Sequence, residues 1–232
     1  AREVLRFYRE FTATAPDELT AYAVFLTSPE GMPLVAVILC YCGDLTEGQR
    51  VIEPLRRFGA PVADLIQPMP YTALQSIFDA AVPSGQLSYW KAGQLSGLTD
   101  EVIDMIVTQC TQVSSPRTVS LVEHHHGAIS RVAPDATAFP HRDAPYELVV
   151  ISLWNDPVES ERHIGWTKGF FRAMQPFFRG GVYVNVLGDD ESDRVREAYG
   201  RNYDRLVELK DRYDPTNFFR QNHNIAPTAG TK

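Results

Sequence analysis

Two β-rich runs near the start of the chain, 19–27 and 34–41, are separated only by Ser28-Pro29-Glu30-Gly31-Met32-Pro33. So short a connection, built of turn formers, joins antiparallel strands, because a parallel pair needs a crossover of about a dozen residues or more. The hairpin sets the sense of the sheet at its outset. Farther along, strands and helices mix without a βαβ rhythm. Val4, Phe7, Tyr8 and Phe11 recur at helical steps before Pro16, and Val51, Leu55 and Phe58 do so within 46–58, which stops at Gly59. The pattern predicts a short strand at 62–66, a short helix at 71–78 and a strand at 87–94 carrying Tyr89 and Trp90. Thr99 reads as the N-cap of a helix whose buried stripe is Val102, Ile103, Ile106, Val107 and Cys110. Strands are expected at 118–127 and 146–154, the second apolar enough for mid-sheet. A long helix at 159–178 should face the core with Ile164, Phe170, Phe171, Met174 and Phe178. A strand at 181–187 and a final helix at 192–213, bent near Gly200, complete the chain. The expected fold is α+β, an antiparallel sheet with helices packed on one face, followed by a C-terminal helix and tail.

At 232 residues the chain is long enough for a sizeable core, and it divides most naturally into one domain over 1–187 and an appendage over 188–232. A net charge of −7 argues against a nucleic-acid partner, since phosphate neutralisation needs a basic surface. The longest apolar run, 34–42, falls far short of a membrane span of about 20 residues. Neither nucleic acid nor membrane is expected as a partner, and the absence of a leader points to a cytoplasmic location. A start at Ala1, directly in a helical pattern, reads as a segment excised from a longer protein. Cys40 and Cys42 share a strand face and Cys110 lies on a helix; all three are expected to be small core residues.

Several segments carry groups capable of chemistry. On a strand, Tyr183 and Asn185 would point to one face and Val184 to the other. A phenol and an amide together either reach water or line a site, where a phenol flanked by positive charge or hydrogen-bond donors can act as a base. Asp214-Pro215 stops the last helix, Asn217 is placed for a turn, and Phe218 and Phe219 would anchor the exit chain. Beyond them, Asn222-His223-Asn224 precede a lone apolar anchor, Ile225. In Glu123-His124-His125-His126, alternation puts His124 and His126 on one face and Glu123 and His125 on the other, so at most two imidazoles converge locally and no metal site is expected. The cluster reads as a sheet face lining a cleft or as exposed strand residues. Arg142 and Asp143 read as a surface ion pair with a structural role.

The ending Arg212-Tyr213-Asp214-Pro215-Thr216-Asn217-Phe218-Phe219-Arg220 through Pro227, with Tyr183-Val184-Asn185 upstream, resembles the C-terminal signature of the berberine-bridge-enzyme-like flavoprotein oxidoreductases. Tyr199-Gly200-Arg201-Asn202-Tyr203 and Ala138-Phe139-Pro140-His141-Arg142 are similar to further stretches of that family, so the likeness covers the second half well and the first only in general pattern. The resemblance implies the C-terminal, substrate-binding and flavin-capping portion of a bacterial FAD-linked oxidase or dehydrogenase of alcohols, sugars or specialised metabolites. It implies a small-molecule substrate, and FAD held mainly by an N-terminal domain of which this chain shows no trace. It also implies Tyr183 as catalytic base, with Tyr183, Asn185 and Asn224 near the flavin. Some relatives place Glu or Gln near Val149, and a valine cannot do acid–base work. The alternatives are a small-ligand binding module, with Tyr89, Trp90, Trp154 and Tyr183 lining its pocket, and a metal-dependent hydrolase built on the histidines.

Overall fold

The computed structural model describes residues 1–79 and 82–228. Its first helix, α1 (Arg2–Thr12), leads into the hairpin β1 (Leu19–Thr27) and β2 (Pro33–Tyr41). Ser28 builds the turn: its hydroxyl accepts from the amides of Glu30 and Met32, and Gly31 takes the left-handed φ of +85° that closes it. After α2 (Leu45–Arg57) and α3 (Tyr71–Gln75) come β3 (Leu87–Leu95), α4 (Asp100–Cys110), β4 (Val119–His124), α5 (Ala128–Arg131) and β5 (Tyr146–Trp154). The chain continues through α6 (Ser160–Met174), α7 (Val195–Tyr199) and α8 (Tyr203–Tyr213). The five strands are ordered β2-β1-β4-β5-β3, and every pairing is antiparallel.

One face of the sheet carries the core. Ala21, Ala23, Phe25, Val122, Tyr146, Leu148 and Val150 point toward α1, α4 and α6, meeting Leu5, Ile103, Ile106, Phe170 and Met174. Alternation sends Glu147, Val149 and Ile151 to the other face. The expected α4 stripe is buried throughout, and Thr99 caps the helix by accepting from the Val102 amide. The expected α+β fold, with helices on one face, is the observed one.

Four local expectations fail for identifiable reasons. Residues 62–66 form no strand: Asp64 accepts from the Ile66 amide and from Arg56, and Val62 stays 92% exposed. On α6 the buried stripe is His163, Thr167, Phe170 and Met174, while Ile164, Phe171 and Phe178 are only partly buried. Here Thr167 bonds Ser152 at 2.7 Å and His163 bonds Ser114 through Nδ1 at 2.9 Å, while the buried His163 Nε2 has no hydrogen-bond partner among the described residues. The helix also ends at Met174, before Pro176. The segment 181–187 is not a strand. Phe178 bridges Leu95 and the Arg179 amide donates to Gln94, but Gly180 and Gly181, at φ +80° and +83°, then turn the chain off the β3 edge into a 3-10 turn, Val184–Val186.

The cysteines divide. Only Cys110 is buried; Cys42 is exposed and Cys40 half-buried, their sulfurs 3.6 Å apart on the free edge of β2. Burial pushes the Cys110 thiol up to about 12. In the native chain at pH 8, a disulfide-exchange reagent should label Cys42 first and Cys40 more slowly. Cys110 should react only on unfolding, as counted by released chromophore.

Candidate functional site

The C-terminal tail folds back on the turn that carries Tyr183. Val182, Leu187, Val195 and Ala198 form a second small apolar cluster, and Ile225 from the tail packs against it beside Val184 and Val186. His223 donates to the Leu187 carbonyl at 3.2 Å. Asn224, between these two anchors, has its amide oxygen buried and without a hydrogen-bond partner among the described residues.

Tyr183 and Asn185 meet, though not by strand alternation. The 3-10 turn brings the Asn185 side-chain amide to within 2.8 Å of the Tyr183 hydroxyl, to which it donates. The Tyr183 ring is 39% exposed and rests edge-on against Phe139, with centroids 5.5 Å apart. Phe139 is held in turn by Arg142, whose guanidinium lies over its ring and donates to the Phe139 and Ile129 carbonyls and the Thr137 hydroxyl. The expected Arg142–Asp143 ion pair is therefore replaced: Arg142 staples its loop, and Asp143 pairs with Arg179. His141 also serves the frame, donating to the Glu197 carbonyl at 2.9 Å.

At the end of α8, Asp214 accepts from the amides of Phe218 and Phe219 and pairs with Lys210. That carboxylate builds the turn expected of Asn217, which instead takes the left-handed φ of +53°. Phe218 and Phe219 do not anchor to the core. They remain 77% and 76% exposed, packed edge to face on each other.

The histidine run separates as alternation requires. His124 and His126 stack at 4.5 Å beside Tyr146, and burial, followed by repulsion from His126 and His125, pulls His124 down to about 4. On the opposite face, His125 lies 3.7 Å from the Glu123 carboxylate. Glu147, directly across from Glu123 in the β4–β5 register, completes this group. Burial, with Glu123 adding and His125 opposing, pushes Glu147 up to about 7. Sequence reasoning missed Glu147; its one signal was a carboxylate in an otherwise apolar strand.

Residues 182–226 match the family model described as "Berberine and berberine like". Over nearly its whole length the chain is similar to FAD-linked oxidoreductases. An FAD-linked oxidoreductase of Dictyostelium discoideum is 29% identical over 98% of the chain and 49% of its own length. An uncharacterized FAD-linked oxidoreductase of Bacillus subtilis, YgaK, is 25% identical over 97% of the chain and 50% of its own length. In fold, the chain is similar to BBE-like #28 from Arabidopsis thaliana, with a TM-score of 0.80 at 19% identity, covering 98% of this chain and 55% of that one. The chain thus spans about half the length of the curated relatives that match nearly all of it. The berberine-like match covers the turn with Tyr183 and Asn185, α7, α8 and the returning tail.

Proposed function

We propose that this chain is the substrate-binding and flavin-capping part of an FAD-dependent oxidoreductase that oxidises an alcohol, sugar or specialised metabolite, with 1–187 binding substrate and 188–232 closing over the cofactor. The observation that carries this reading is the tail's return: Ile225 and His223 fasten Asn224 to the same small unit that holds Tyr183 and Asn185. These residues fit a flavin ring chemically. An isoalloxazine edge offers donors and acceptors, and the buried Asn224 amide oxygen requires a donor that no described residue supplies. Asn185 and Asn224 would hold the ring edge, while FAD itself is held mainly by an N-terminal domain.

When bound, the flavin supplies the hydride acceptor. This chain's own residues handle the proton. In its ionised form Tyr183 takes the substrate hydroxyl proton at its phenolate oxygen and becomes the phenol, and Asn185 fixes the direction of that oxygen by donating to it. Val149 offers no acid–base group, so either Tyr183 acts with a different partner or the reaction differs from that of the relatives carrying Glu or Gln there.

Purified alone, the chain should be colourless. Joined to an N-terminal flavin domain it should be yellow and bleach anaerobically with an alcohol or sugar, followed by absorbance. Stoichiometric flavin on the chain alone would refute the division of labour. A flavin-loaded protein that no alcohol or sugar bleaches would leave a ligand-binding module instead.

A further inference from the structure

Two glutamates face each other across β4 and β5 on the side of the sheet away from α1, α4 and α6. Glu123 and Glu147 are direct cross-strand partners, an arrangement that like charges disfavour. Glu147 is only 3% exposed, and its Oε1 has no hydrogen-bond partner among the described residues. Their outer neighbours in the same row are Tyr22 on β1 and Gln94 on β3, neither a cation. His125 joins from just beyond β4. Its Nε2 lies 3.7 Å from Glu123, and its Nδ1 is buried and has no hydrogen-bond partner among the described residues. One ligating atom from each of Glu123, His125 and Glu147 lies within 4.8 Å of the other two.

A buried carboxylate with no donor, opposite a second carboxylate, has an unmet demand for positive charge. The donor set of one imidazole nitrogen and two carboxylate oxygens suits a borderline divalent ion, bound at about 2.0–2.2 Å, and a modest closure of the side chains would bring the donors to that range. The sequence alone offered only two converging groups; the register of β5 adds the third. His125 and Glu123 have side chains 15% and 25% exposed, which gives an ion a way in and leaves the outer coordination position to water.

We infer that Glu123, His125 and Glu147 form a divalent-cation site of the zinc type, with three protein ligands and one open position. This inference is independent of the flavin reading. Because Glu123 and His125 come from the β4 side and Glu147 from β5, the ion ties the ends of β4 and β5 together and stabilises the native chain by mass action.

The test is calorimetric titration of zinc into the metal-stripped chain. Cys40 and Cys42 are first replaced by serine, so that their adjacent thiols contribute no binding. One zinc per chain with micromolar affinity is expected, accompanied by a higher unfolding temperature. Glu147→Gln, which keeps the shape of the side chain, and His125→Ala should each weaken binding by at least about tenfold and abolish the thermal shift. Circular dichroism establishes that each variant is folded. The absence of one-to-one binding in the parent chain, or equal affinity in both folded variants, would overturn the site.

Discussion

In a flavin-loaded protein carrying both halves, Tyr183→Phe slows flavin reduction by substrate about 10²- to 10⁴-fold and leaves flavin content unchanged. The substitution is selective. The ring's edge-on contact with Phe139 survives, so the frame built by Arg142 and His141 keeps its shape. What disappears is the hydroxyl that Asn185 holds at 2.8 Å, and with it the group assigned to the substrate proton. Asn185→Ala should cost less than Tyr183→Phe, because it frees the direction of the hydroxyl without removing it. Anaerobic stopped-flow bleaching separates these cases. Unchanged reduction by the Tyr183 variant would end its role as base, and loss of flavin in place of rate would make it a cofactor contact only.

The parts of this fold legible in the sequence are those governed by local rules. The hairpin follows from turn residues between β-rich arms, and the α4 stripe from helical spacing behind a threonine cap; the stripe is observed residue for residue, and the hairpin with β2 starting one residue early, at Pro33. The failures arise where tertiary demands override a local pattern. Gly180-Gly181 precedes a run that alternates well enough for a strand, yet the two left-handed glycines turn it away from β3. The close approach behind that turn is real, since a Cβ on Gly181 would fall 2.5 Å from the His141 ring. On α6 the eye follows Phe171 and Phe178, while the structure buries His163 and Thr167 because Ser114 and Ser152 wait opposite them.

The candidate site was legible by residue type and illegible by geometry. Tyr183 and Asn185 do meet, but through a 3-10 turn and a hydrogen bond. Glu147 becomes chemically notable only when β5 is set in register against β4, because a single carboxylate in a strand carries no record of the one across from it. Nothing in Asp189-Asp190-Glu191 as sequence sets Glu191 apart, and only the fold shows that it is buried against a lysine.

That lysine carries the second large expectation. Lys91→Met should lower the unfolding free energy of the chain by about 3 kcal/mol, within the ~3–5 kcal/mol typical of removing one partner of a buried pair. Lys91 and Glu191 have side chains only 8% and 6% exposed and meet at 2.9 Å, so the variant leaves a carboxylate with no water to take the lysine's place. Arg194, 2.6 Å from the same carboxylate, keeps the loss at the low end. Pairing Lys91→Met with Glu191→Gln should restore most of the stability, since the amide no longer carries the orphaned charge and can still accept from the Gly188 amide. Urea unfolding of the single and double variants tests this. A full loss in both would make Lys91 important for packing against Phe171 and Tyr89 instead of for charge. Asp190 adds an acid limb. Burial alone would raise its carboxyl, but Lys168, Tyr89 and Lys91 outweigh that and hold it at about 2. Its contribution is therefore fully present above the ordinary carboxylate range, near pH 4, and is lost as pH falls through about 2. The bridge links β3, inside 1–187, to the segment that opens 188–232. The proposed base on the 183–185 turn and the tail that returns to it thus depend on an ion pair that crosses the proposed boundary, and Lys91→Met should loosen the tail before it unfolds the sheet.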